Sequence, residues 1–191
     1  MNKYTIYATQ NNLLLTNLLE FYKTPTYLQT MLSIITGASK ISLRIVDWFA
    51  TNYAKKYFTI YTITSDQYPE SDTGKRFKVY VDYKLKLKAY SKKRFDPFCR
   101  WDRISIPYEG DTFIETTIGQ LNFFKWAIEN KVIDYIQNNY DIIEKDMNSR
   151  NSTSKRNEID NTKTRKKREE LSISATKSIK KEKIEITVEF N

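Results

Sequence analysis

The residues whose types and spacing are suited to chemistry in this chain are cations. Over residues 75–103 (KRFKVYVDYKLKLKAYSKKRFDPFCRWDR) eleven Lys/Arg stand against three Asp/Glu. Lys84, Lys86 and Lys88 recur at every second position, and Lys92, Lys93, Arg94, Arg100 and Arg103 continue the charge. Phosphate binding needs cations gathered on one face, with aromatics such as Tyr80, Tyr90 or Trp101 free to stack on unpaired bases. The plainer alternative is a solvated strand face whose lysines keep an edge from pairing with other chains. A second cluster, Lys163 with Arg165, Lys166, Lys167 and Arg168, has the density of a nuclear localisation signal or of an arm that grips nucleic acid. Its plainer alternative is a solubilising tail.

Other chemistries find little support. The chain of 191 residues has no histidine and a single cysteine, Cys99. Ser-His and Cys-His nucleophile pairs are therefore excluded, and a structural zinc site, which takes four Cys/His ligands, is close to excluded. Glu109 and Asp111 flank Gly110 as turn residues. Asp141, Glu144 and Asp146 read as a solvated helix face, so no magnesium site is assigned. The four isolated glycines make no phosphate loop. Cys99, between Phe98 and Trp101, reads as a small core hydrophobe. The expectation is a protein with no catalytic residues, no metal and no cofactor. A net charge of +9 favours polyanionic partners, nucleic acid before an anionic membrane surface. A lone thiol fits a reducing compartment. No apolar run nears the roughly 18 residues of a membrane span, and the amino terminus lacks a signal-peptide core.

The elements that must position the cations follow from periodicity. From Phe77 to Ala89 apolar residues fall on one parity and lysines on the other, the pattern of a strand with one buried and one wet face. That strand pairs as a hairpin with residues 58–63 (FTIYTI), across the polar loop 65–74. Further strands over 103–108 and 113–116 flank a turn at 109–111, giving an antiparallel sheet of about four strands, and residues 3–9 suit one more short strand. Helices are predicted over 11–23, 27–35 and 41–55, the second ending at Gly37 in a left-handed cap. Helix, glycine turn and helix over 28–54 invite a helix-turn-helix reading. The apolar surface of the last helix favours core helices instead. Residues 117–136 predict a long central helix on the sheet. Thr117 and Gln120 stand at capping-box spacing at its start, and Asn138-Asn139 end or bend it.

The fold class expected is α+β: an antiparallel sheet packed on a long central helix, with an N-terminal helical section and a basic C-terminal tail. One domain is expected over 1–147. Residues 148–183 carry twelve Lys/Arg against five Asp/Glu with few apolar residues. That composition predicts disorder or a helix induced by a partner. Residues 184–191 alternate again, as a terminal strand.

Three strings, AYSKKRFDPFCR (89–100), TTIGQLNFFKWAIENKVIDYI (116–136) and RKKREELSISATKSI (165–179), resemble a family of uncharacterised proteins of nucleocytoplasmic large DNA viruses, the iridovirus and phycodnavirus types above all. The resemblance implies context rather than activity: a viral protein made in an infected cell, in cytoplasm or nucleus, and a candidate for packaging in the virion. The residues add a non-enzymatic protein that contacts DNA or RNA phosphates without reading sequence. The alternative is a minor virion or interaction protein whose basic tail docks on an acidic viral protein.

Overall fold

The computed structural model describes residues 10–63, 74–99, 103–108, 112–160 and 181–183. Its helices are α1 (Gln10–Phe21), α2 (Pro25–Thr36), α3 (Leu43–Trp48), α4 (Ala54–Lys56), α5 (Val79–Phe95), α6 (Ile118–Glu129), α7 (Val132–Asn138) and α8 (Tyr140–Asp160). A π-helical turn, Phe49–Tyr53, joins α3 to α4. The strands are β1 (Ile60–Ile63), β2 (Lys75–Lys78), β3 (Arg103–Pro107), β4 (Thr112–Thr117) and β5 (Lys181–Lys183). The class is α+β, as the sequence predicts. The single sheet of about four strands is replaced by two small antiparallel sheets, β1-β2 and β3-β4-β5.

The α6 helix is the centre. Thr117 caps it, its hydroxyl accepting from the Gln120 amide at 3.2 Å, as the spacing predicts. The Gln120 side-chain oxygen accepts from the Thr116 hydroxyl, 2.9 Å away. Leu121, Phe123, Phe124, Trp126 and Ala127 are all buried, so α6 is covered on most of its circumference. On one side α1 delivers Leu18 and the turn after it Tyr22, whose hydroxyl donates to the Leu121 carbonyl at 2.7 Å. On another lies α5, close enough that a Cβ on Gly119 would stand 2.8 Å from the Asp96 carbonyl oxygen. The predicted long helix is in fact interrupted: Lys131 takes a left-handed φ of 55° between α6 and α7. The second break, at Asn139, lies where the paired asparagines predict it.

The α2–α4 stretch contributes core helices, the reading its apolar surface favours over a helix-turn-helix. Gly37 caps α2 at φ 80°, and Leu43, Ile45, Val46, Phe49, Ala50 and Ala54 are buried.

The largest departure is at residues 79–95, where a helix stands in place of the expected strand. Only Lys75–Lys78 is extended and pairs with β1, Ile60 opposite Lys78. Residues of one parity lie 200° apart around a helix, so its two sides share the apolar set. Val79 and Tyr83 are buried and Leu87 packs against the core, while Val81 and Leu85 are 53% and 60% exposed. The inward half is fixed by the Trp126 indole N–H, which donates to Asp82 at 2.7 Å, and by Tyr83 against Trp126 and Phe95. Tertiary contacts thus override the local pattern.

The boundary expected after residue 147 falls inside α8, which continues to Asp160. β5 joins the free edge of β4, Lys181 to Lys183 opposite Ile114 to Thr112. The predicted strands over 3–9 and 184–191, the turn 109–111 and the rest of the tail lie outside the described residues.

Candidate nucleic-acid interface

The helix re-sorts the predicted lysine row. Lys84 and Lys88 are exposed one turn apart, together with Val81, Leu85 and Ala89. Lys86 points elsewhere around the axis and is half-buried. The helical path breaks at Ser91, whose φ of 65° and ψ of 167° belong to a region used almost only by glycine. Beyond it Lys92 and Lys93 are exposed, and Arg94 is half-buried, reaching the Gln10 side chain at 3.5 Å. Arg103 lies on β3, ion-paired with Glu115 at 3.0 Å. Arg100, Lys163, Arg165, Lys166, Lys167 and Arg168 lie outside the described residues. The residues predicted to form one strand face therefore divide between a helix, its broken end and a separate sheet.

A different grouping replaces the row. The β1-β2 ribbon carries Lys75, Arg76 and Lys78, all exposed, with Arg76 and Lys78 on the face opposite buried Phe77, and α5 begins at the next residue. Among the described residues, no carboxylate stands within ion-pair distance of Lys75, Arg76, Lys78, Lys84 or Lys88. The aromatics fare differently from expectation. Tyr80 is half-buried with the Lys55 ammonium 5.7 Å from its ring, and Tyr90 stacks on buried Phe95 at 6.1 Å. Trp101 lies outside the described residues.

The aromatic that the sequence reading missed is Phe58. It is 82% exposed and holds a left-handed φ of 50° where α4 turns into β1. The Val79 amide donates to the Thr59 carbonyl at 3.3 Å, which places Phe58 beside the start of α5. No periodicity marks it, because it belongs to neither flanking element.

Two carboxylates contrast in environment. Asp146, expected on a solvated face, is buried. Trp48, Lys56 and Tyr57 donate to it at 3.1–3.2 Å, and Arg150 stands 3.4 Å away. Burial alone pushes its pKa up, but these donors and the Arg150 charge outweigh burial and hold it below the ordinary carboxylate value. Asp47 on α3 has no such donors among the described residues: burial, then the nearby charge of Asp96, pushes it up to about 7. Asp141 pairs with Lys40 at 3.3 Å, and Glu144 accepts from the Tyr140 hydroxyl at 2.9 Å. Among the described residues no three acidic or cysteine side chains gather as a metal-binding group, and no helix is long and apolar enough to cross a membrane.

A cavity of about 340 Å³ lies between α2, the 37–42 connection, α7 and the start of α8. Its hydroxyls are engaged locally: Thr30 donates to the Thr26 carbonyl, Ser33 to the Thr30 carbonyl, and Ser39 accepts from the Ile41 amide. No set of free donors converges on it.

No solved structure is similar to this chain. An uncharacterised protein of Acanthamoeba polyphaga mimivirus is 46% identical over 128 residues, covering 63% of this chain and 47% of that protein. The chain thus spans about half the length of that relative. The relative comes from a nucleocytoplasmic large DNA virus, but from a mimivirus rather than from the iridovirus or phycodnavirus types. Residues 2–191 match the family of unknown function DUF7197, and the chain belongs to that family.

Proposed function

We propose that this protein works by binding rather than catalysis and associates with nucleic acid through phosphate contacts that read no sequence. The observation that carries the reading is the run of exposed cations Lys75, Arg76, Lys78, Lys84 and Lys88 along one ribbon and the helix that follows it, with no acidic partner among the described residues. Cations left unpaired on a fold leave counterions to be released when phosphates replace them. The run 163–168 adds a second basic segment on the same chain. The site of action is the infected cell, with the virion as its extension.

A second reading has its own observation. Val81 and Leu85 stand exposed between the lysines of α5, which suits an acidic protein partner with an apolar stripe. Salt separates the two. With labelled 20-mers and the full chain, log K for nucleic acid should fall linearly with log salt. Lys84→Glu with Lys88→Glu should flatten that slope by about 1.8 on duplex DNA, at roughly 0.9 per contact. Absence of binding to DNA and RNA at low salt leaves the protein-partner reading.

A further inference from the structure

We infer that Phe58 is a base-stacking residue and that the cationic face beside it takes single-stranded nucleic acid. This inference rests on the binding reading above. Three independent features of Phe58 meet. A large aromatic ring stands 82% in solvent. Its backbone occupies the left-handed region at φ 50°, where a bulky residue is strained and asparagine or glycine is at ease. The position itself is fixed on both sides: the Tyr57 hydroxyl donates to buried Asp146 at 3.1 Å, and Thr59 is tied to the Val79 amide. The ring and its φ do not serve folding, because an exposed ring contributes little burial and a strained φ subtracts stability. The rigid flanks turn the ring outward and keep it there.

The charge nearby decides the occupant. Ile60 faces Lys78 across the ribbon. Two residues of extended chain span about 7 Å, and a cross-strand step adds about 5 Å. The Phe58 backbone is thus within roughly 12 Å of Lys78, where α5 with Lys84 and Lys88 begins. An exposed ring at the end of a cationic run that has no acidic partner among the described residues is the arrangement with which proteins hold unpaired strands: the backbone follows the charge and a base covers the ring. Duplex bases are stacked on one another and offer no free face, so the ring has no role on duplex.

The test compares fluorescein-labelled dT20 and U20 with a 20-base-pair duplex on the full chain, by anisotropy. Phe58→Ala should weaken dT20 or U20 binding roughly five- to 100-fold and leave duplex affinity within twofold. The strand that loses more identifies DNA or RNA as the source of the bases. Phe58→Trp should retain binding, and the Phe58→Ala melting temperature should not fall, since the ring is exposed. Lys84→Glu with Lys88→Glu should weaken single strand and duplex alike. Equal affinity of Phe58→Ala and the natural chain for single strands overturns the stacking inference. If the charge variant still weakens binding, phosphate association survives that result. If the natural chain binds no probe, both fall together.

Discussion

At the scale of single residues, two carboxylates, buried Asp146 and half-buried Asp47, give the protein opposite responses to pH. The Asp47 pKa stands at about 7 in the fold against an ordinary 3.8. At low pH the group is protonated in both states. Between about 4 and 7 the unfolded chain has lost a proton that the folded chain keeps, so stability falls as pH rises, and above 7 the full penalty stands. Asp146 is the reverse: its pKa lies below the ordinary value, so its contribution is complete above about pH 4 and is lost as pH falls further. Asp47→Asn should therefore stabilise the protein at pH 8, by on the order of 3 kcal/mol, and flatten the pH 4–7 decline in chemical denaturation midpoints. An unchanged profile would place water or a cation at Asp47. The Trp126 indole is the other decisive side chain. It is buried among Phe77, Tyr83, Phe95 and Phe123 and donates to Asp82. Trp126→Ala should cost about 3–5 kcal/mol in a thermal or urea melt. An unchanged melt would mean that α5 does not rest on this ring.

At the scale of elements, the α5–α6 pair is set by two backbone positions with opposite demands. Ser91 occupies glycine's territory, and Ser91→Gly should raise stability by about 1 kcal/mol through relief of strain. Gly119 needs its missing Cβ, because the Asp96 carbonyl stands 2.8 Å from where that atom would be. Gly119→Ala should lower the melting temperature by several degrees although alanine favours helices. If both changes move stability the same way, the α5–α6 approach is drawn wrongly. These elements also show which signals a sequence carries. Gly37 and the Thr117 cap were legible, because each acts through its own backbone over three or four residues. So were the core helices, whose apolar residues recur at helical spacing. The α5 helix was not legible: its alternation is genuine, and only Trp126 and Phe95, distant in sequence or beyond a break, decide against it. The interruption at Lys131 was hidden for a related reason, since lysine has no preference for a left-handed φ. Of the candidate interface the charge was visible and the geometry was not. Phe58 stands out only once the chain is folded.

At the scale of the whole molecule, the described residues place an aromatic core around α6 and leave cations along α5 and the β1-β2 ribbon. The two sheets lie at separate places in this arrangement, and β5 brings a late segment of the chain onto β4. Before any of this forms, residues 75–90 carry the side-chain order of an extended strand. Their helical state is therefore not inherited from the local chain but granted by α6. A peptide of residues 75–95 should show little helix by far-ultraviolet circular dichroism in water. In refolding, burial of Trp126, seen by its fluorescence, should precede or accompany the helical signal of α5. During synthesis α5 leaves the ribosome before α6, and for that interval the lysines at every second position keep an exposed strand pattern from joining its like. The charges proposed above to contact phosphate are thus also placed, earlier in the life of the chain, to guard against aggregation.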